Sequence, residues 1–190
     1  MRLIVGISGA TGSIYAIRLL QVLRERGVET HLIISPTSRK IISEETSFTP
    51  EDVEALASFV HPSGDLAAPI SSGSFKTDGM IVLPCSVKTL SGIAHSYNDN
   101  LMTRAADVTL KEGRKLVLAV RETPLHQGHL KLMLEASRMG AILFPPLPAF
   151  YFKPATIDDL INHAVGKILD LFDIDHNLFM RWGTLPTERI

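Results

Sequence analysis

Short apolar runs of four to six residues alternate with longer stretches of helical spacing along the whole chain. That pattern reads as successive βαβ units and therefore as a parallel sheet with helices on its faces. The expected strands are 3–7, 30–34, 80–83, 115–120 and 141–144. The first run breaks at Ser8-Gly9-Ala10-Thr11-Gly12, and a helix follows with Tyr15, Leu19, Leu20 and Leu23 on one face, ending near Gly27. Ser35-Pro36 and Thr49-Pro50 each place a hydroxyl cap before proline at a first helical position, so helices start at both; the second is expected to run to about Phe59. Residues 61–79 are rich in Pro, Gly and Ser and read as a loop, and Pro84 is expected to stop the third strand. Further helices are expected after Cys85 and over 100–112, 129–139 and 156–172, the second closed by Gly113. Four prolines and three aromatics in 145–154 exclude regular helix there and predict a shaped surface loop.

A length of 190 residues, 45% of them hydrophobic, fits one domain over 1–190 with a full-sized core. The net charge of -1, with no basic run, excludes an electrostatic case for nucleic acid as a partner. The single cysteine, Cys85, excludes an internal disulfide and suits a reducing compartment. The N-terminal apolar run is short and turns straight into a glycine loop, unlike a signal peptide, and no stretch is long enough to span a membrane, so the expected location is cytoplasmic.

In an open parallel sheet, ligands bind beyond the carboxyl ends of the strands. The residues at those ends are Ser8 to Gly12, Ser35, Cys85-Ser86-Val87-Lys88-Thr89, and Arg121-Glu122, all small, hydroxylated or charged. Three of the four groups precede helices, whose first N–H groups and dipole attract phosphate. Gly6, Gly9 and Gly12 are spaced by three, which is neither a dinucleotide fingerprint nor a phosphate-binding loop of an NTPase. Alone, that loop also fits a plain strand-to-helix turn, but the hydroxyls of Ser8, Thr11 and Ser13 beside the glycines favour phosphate; Ser35 alone is more often a plain cap. Arg121 can pair bidentately with a phosphate or form an ion pair with neighbouring carboxylates. Cys85 lacks a basic partner in sequence and reads as a small buried residue. Glu44-Glu45 reads as a solvated helix face. His126 and His129 lie three apart without a third ligand, so no metal is expected, and His61, His95, His163 and His176 read as surface or packing residues.

Three segments carry a resemblance to a known family: GISGATGSIYAIRLL, then LPCSVKTLSGIAHSYNDNLMTRAADVTLKEGRKLVLAVRETP, then PPLPAFYFKP. Together they resemble the UbiX family of flavin prenyltransferases, in the branch that accompanies bacterial phenolic (hydroxyarylic) acid decarboxylases as one component of those systems. The resemblance runs nearly end to end. It implies a three-layer α/β/α, flavodoxin-like (Rossmann-like) fold and a homododecamer with active sites at subunit interfaces. The implied reaction joins the dimethylallyl group of dimethylallyl phosphate to N5 and C6 of reduced FMN. The product, prenylated FMN, would serve a UbiD-type aromatic acid decarboxylase.

Carried over by position, the resemblance implies FMN binding at Gly9, Ala10, Thr11, Ser35, Ser86, Val87, Lys88, Thr89 and Arg121. It implies prenyl-phosphate binding at Tyr151 and Lys167, with Arg104, Lys111 and Glu122 as neighbours. Glu45 falls on a carboxylate near flavin N5, suited to moving a proton, and the catalytic set is Glu45, Thr11 and Glu122. A cationic nest around the departing phosphate would stabilise its charge and replace a metal ion. Three positions depart from the pattern: Lys167 stands where relatives often carry Arg, Leu66 where some carry Trp, and Thr11 where Ser is more frequent. The alternatives are an FMN-dependent decarboxylase of the cysteine-decarboxylase group and a non-catalytic flavin carrier. The first relies on a histidine in the flavin loop, and this chain has none before His31.

Overall fold

A computed structural model describes residues 1–183; the last seven residues of the tail, 184–190, lie outside the described residues. Two compact units divide the chain, Met1–Pro145 and Pro146–Ile190. The first holds a six-stranded parallel sheet in the order β3-β2-β1-β4-β5-β6. Its strands are β1 (Arg2–Ile7), β2 (Glu29–Ile34), β3 (Phe59–His61), β4 (Gly79–Cys85), β5 (Lys115–Val120) and β6 (Ile142–Leu143). Its helices are α1 (Ser13–Glu25), α2 (Pro36–Glu45), α3 (Pro50–Glu54), α4 (Val87–Ala94), α5 (Leu101–Lys111) and α6 (Gln127–Arg138), with one 3-10 turn at Pro69–Ser71.

Strand alternation divides the core between the two faces of the sheet. Ile4, Ile33, Met80, Val82, Leu116 and Leu118 meet Leu90 and Ile93 of α4, Met102, Ala105 and Ala106 of α5, and Ala136 of α6. Leu3, Val5, Ile7, Leu32 and Ile81 point the other way and are fully buried. That face is covered by α1, which packs on β1, β2 and β4 with α2 beside it. The result is the three-layer α/β/α, flavodoxin-like arrangement. The chain leaves β1 toward β2 and β3, then returns to β4 on the other side of β1. A crevice therefore opens between β1 and β4 at the carboxyl ends, where the winding reverses.

The cap residues read from the sequence form as expected. Ser35 accepts from the Ser38 N–H at 3.2 Å, and Thr49 and Asp52 form a reciprocal capping box. Other details differ. β4 runs through Pro84 to Cys85, because its ladder to β5 shifts register between Val82 and Cys85 and spares the missing N–H. The Thr49 helix ends at Glu54 rather than near Phe59. Thr30 and Ser58 exchange reciprocal N–H to Oγ bonds of 3.1 Å, which draw the chain out of helix and into β3. β3 falls in a stretch read as helix end and loop. It is held by pairing with β2, by His31 stacked on Phe59 and His61, and by a 2.9 Å bond between the two imidazoles. α6 starts at Gln127 with His126 as its cap, and the last strand is reduced to Ile142–Leu143.

The second unit carries α7 (Ile157–Asp170), opened by a Thr156–Asp159 capping box. The expected loop around 145–154 has no helix or strand, and Leu147 and Phe150 in it are largely exposed. Tyr151, Phe152, His163, Phe179 and Trp182 form one contiguous set of ring contacts within this unit.

Candidate functional site

The carboxyl ends of the strands enclose a cavity of about 1600 Å³. Its floor is built from three strand-to-helix turns. In the first, Ser8 is completely buried and its hydroxyl donates to the Pro84 carbonyl at 3.0 Å while accepting from the Ser86 N–H at 2.7 Å. One side chain thus ties the β1 turn to the β4 turn across the crevice. Gly9 follows, and a Cβ built there would meet Thr37 at 2.9 Å, so only glycine lets this turn lie against the start of α2. Gly12 has a φ of 102°, a left-handed conformation that suits glycine, and it caps α1 without a side chain.

Ser35 forms the second turn. It caps α2, and its hydroxyl lies 2.8 Å from that of Ser38, which donates to the Ile7 carbonyl at 2.8 Å. Ser86 forms the third. Its hydroxyl accepts from the Thr89 N–H at 3.3 Å and donates to the Thr89 hydroxyl at 3.1 Å. Because Thr89 N–H is capped and Leu90 N–H bonds the Ser86 carbonyl, the helix leaves the N–H groups of Val87 and Lys88 for a ligand. α2 and α4 therefore present their positive ends to one cavity, beside the Gly9-Ala10-Thr11 turn that leads into α1. Arg121 and Glu122 follow β5 and line the same cavity, both exposed; the Arg121 N–H bonds the Cys85 carbonyl at 3.0 Å.

Gly9, Ala10, Thr11, Ser35, Ser86, Val87, Lys88, Thr89, Arg121 and Glu122 thus share one cavity. Glu45 does not line it but lies next to it, since its carboxylate accepts the Gly12 N–H at 2.8 Å across 33 positions of sequence. It is exposed, as the solvated-face reading has it, but it is also engaged with the glycine turn. Arg104 and Lys111 lie apart from the cavity lining. Arg104 donates to the Ser71 carbonyl at 3.1 Å and pairs with Asp107 at 3.2 Å, and Lys111 pairs with Glu112. Tyr151 and Lys167 belong to the second unit. There the Tyr151 hydroxyl bonds His163, and the half-exposed Lys167 ammonium stands 3.7 Å from Asp170 beside the buried Val165 and Ile168.

Cys85 is fully buried, and burial pushes its thiol up to about 12, so it stays a neutral packing residue at any ordinary pH. Among the described residues no group of three His, Cys, Asp or Glu is arranged to hold a metal ion. Several residues that sequence reasoning does not select also line the cavity. His126 and His129 pack together on its wall, with ring centroids 3.6 Å apart and planes tilted by 32°. Ser63 and Gly64 line it too, just beyond β3. Recognition of β3 would have brought these two in, by the rule that selects the other strand ends.

A family model described as Flavoprotein matches residues 1–169. The chain is 60% identical over 184 residues to the flavin prenyltransferase UbiX of Salmonella typhimurium, across 95% of this chain and 97% of that one. A crystal structure of AnUbiX in complex with FMN and dimethylallyl pyrophosphate superposes with a TM-score of 0.95 at 53% identity, covering 96% of this chain and 97% of the other. A dodecameric FMN-dependent UbiX-like decarboxylase from Escherichia coli O157:H7 matches with a TM-score of 0.94 at 55% identity, over 96% and 99% of the two chains.

Proposed function

The chain belongs to the UbiX family of flavin prenyltransferases, within the flavoproteins, and on that premise we propose how its residues divide the work. It is an enzyme that joins a dimethylallyl group from a dimethylallyl phosphate to reduced FMN, giving prenylated FMN for a UbiD-type aromatic acid decarboxylase. The observation that carries this reading is the convergence of three strand-to-helix turns and Arg121 on one cavity at the β1/β4 crevice. The turn residues fit a flavin mononucleotide. The hydroxyls of Ser35, Ser86 and Thr89 and the N–H groups of Val87 and Lys88 suit a phosphate, and the glycine turn admits close approach.

Reduced FMN supplies the nucleophilic N5 and C6 when bound. Gly9, Ala10 and Thr11, with Ser35, Ser86 to Thr89 and Arg121, hold it. Glu45 braces the glycine turn through Gly12 and stands where a carboxylate can take or return a proton. Thr11 and Glu122 complete the catalytic set. Tyr151 and Lys167 hold the prenyl phosphate, and their cationic and hydroxyl donors stabilise the charge that develops as phosphate departs. Arg104 and Lys111 do not line their own subunit's cavity; in a homododecamer like that of the Escherichia coli relative they serve a neighbour's. The whole chain acts as one FMN-binding domain, supported by a family match that spans 1–169. The lone buried thiol supports a cytoplasmic home, and no helix among the described residues is long and apolar enough to cross a membrane.

The activity is tested by incubating the protein anaerobically with reduced FMN and dimethylallyl monophosphate or diphosphate, then passing the small-molecule filtrate to an apo UbiD-type decarboxylase. Activation of that enzyme is expected. A filtrate no better than FMN alone would overturn the reading.

A further inference from the structure

His163 is one of the buried titratable groups that the proposed chemistry leaves unused. It lies on α7 with a relative exposure of 9%, and its Nε2 stands 3.1 Å from the Tyr151 hydroxyl. Phe152 stacks on one side of the imidazole, 5.0 Å between centroids and 10° from parallel. Phe179 packs against it at 4.7 Å, and the Tyr151 ring meets it edge-on at 5.6 Å. These contacts restrict the ring's rotation, so Nε2 stays aimed at Tyr151. Lys167 lies one helical turn further on the same face. Tyr151 and Lys167 are therefore brought together through α7, with His163 as the element that fixes the phenol beside the lysine.

We propose that His163 is the positioning residue of Tyr151: its Nε2–H donates to the phenol oxygen, so that the phenol's own proton points to the prenyl phosphate. The argument rests on the placement of Tyr151 at that phosphate under the proposed function. A phenol has one proton and can also accept. If Nε2 is bare, Tyr151 spends its proton on His163 and has none for an anion. If Nε2 carries the proton, Tyr151 accepts from His163 and donates to the ligand. An incoming phosphate selects the second arrangement, since only that one gives it a donor. Burial, and next the nearby Lys167 charge, depress the basicity of His163, while Asp170 opposes them. The ring is thus neutral at ordinary pH and carries the single proton that this arrangement needs.

The test is steady-state prenyl transfer by the full chain, with reduced FMN saturating and dimethylallyl phosphate varied. The variants are Tyr151→Phe, His163→Phe, His163→Asn, His163→Gln and the double Tyr151→Phe/His163→Phe. Tyr151→Phe and His163→Phe are each expected to lower kcat/KM for the donor about ten-fold, the worth of one hydrogen bond to a charged phosphate, with kcat falling as well because the phenol also steadies the departing phosphate. The double variant should be no worse than either single. His163→Gln, whose amide nitrogen reaches about as far as Nε2, should stay near wild type, whereas the shorter His163→Asn should behave like Phe. If His163→Phe does not fold, the Asn and Gln pair carries the comparison. A loss of kcat/KM in Tyr151→Phe with none in the Phe or Asn variants of His163 overturns this inference alone, and so do multiplying effects in the double variant. No change in Tyr151→Phe, or no transfer by wild type, overturns the donor-site reading and the His163 role with it.

Discussion

Replacing Ser8 by alanine removes one oxygen from a site with no exposure to solvent, and its consequence can be worked out bond by bond. The hydroxyl makes two bonds, to the Pro84 carbonyl and from the Ser86 N–H. The Pro84 carbonyl keeps another donor, because the Ser8 backbone N–H also reaches it at 3.1 Å. The Ser86 N–H loses the acceptor it has. The cost is therefore that of one orphaned, largely buried donor, about 1–3 kcal/mol. In a chain of this size that corresponds to a fall in Tm of about 2–12 °C. Ser38→Ala is the internal control. Ser38 is equally buried and its hydroxyl donates to the Ile7 carbonyl, which also accepts the Ser35 N–H at 3.0 Å; the donor that loses its acceptor there is the Ser35 hydroxyl, which is only half-buried and can turn to solvent. Its cost should be under about 1 kcal/mol. Because Ser86 caps α4 and presents Val87 and Lys88, Ser8→Ala should also weaken FMN binding several-fold. Thermal melts and flavin titrations of both variants decide it. Equal melting shifts for the two, or unchanged FMN affinity in Ser8→Ala, would refute the idea that this hydroxyl ties the two turns together.

Arg121→Ala should lower FMN affinity by about ten- to a hundred-fold, the worth of a charge-assisted bond, whereas Lys167→Ala should lower prenyl transfer by a similar factor and leave FMN affinity near wild type; binding titrations beside kinetics separate the two, and a reversed pattern would exchange the sites. Cys85 should resist iodoacetamide in the native protein at mildly alkaline pH and react once the chain is denatured, since its thiol is buried and pushed up to about 12; rapid native labelling would contradict the burial. Glu29 is held at about 2, first by its hydrogen bond from Arg2 and then by that from His31, against an ordinary value of 4.5. A carboxyl depressed in the folded state stabilises above its unfolded pKa and ceases to as pH falls through that window. The stability difference between wild type and Glu29→Gln should therefore be largest above pH 4.5 and shrink toward pH 2; a difference independent of pH in acid unfolding curves would count against it.

Five of the six strands are legible because each carries a short apolar run flanked by turn residues, even though Thr30 and His31 interrupt the one in β2. β3 is not. It is three residues long, its Phe59 and Val60 are exposed, and it is held by His31, Thr30 and Ser58 contacts that no local periodicity encodes. The continuation of β4 through Pro84 is hidden because the register shift that accommodates the proline belongs to the pairing with β5, where Val82 to Cys85 runs opposite the shorter step from Leu118 to Val120. At the site, the hydroxyl and glycine residues are legible from position alone, since strand ends in a parallel sheet converge wherever they occur in sequence. Glu45 is not, because its bond to Gly12 joins the end of α2 to the start of α1, and only the family resemblance singles it out. The separation of Arg104 and Lys111 from the cavity is likewise invisible, as it depends on which way α5 turns its cationic side chains. His163 reads as a surface or packing residue, and the structure buries it; what sequence does not give is the phenol oxygen 3.1 Å from its Nε2.

The central claim is that this chain builds a modified flavin rather than removing carbon dioxide from an aromatic acid. It is tested most directly by the mass and absorbance spectra of the flavin recovered after anaerobic incubation of the purified protein with reduced FMN and dimethylallyl phosphate. A parallel sample receives a phenolic acid and no partner decarboxylase. The account predicts a flavin heavier by one dimethylallyl-derived unit, with an altered spectrum, and no carbon dioxide in the parallel sample. Unmodified FMN together with carbon dioxide released by this chain alone would contradict it.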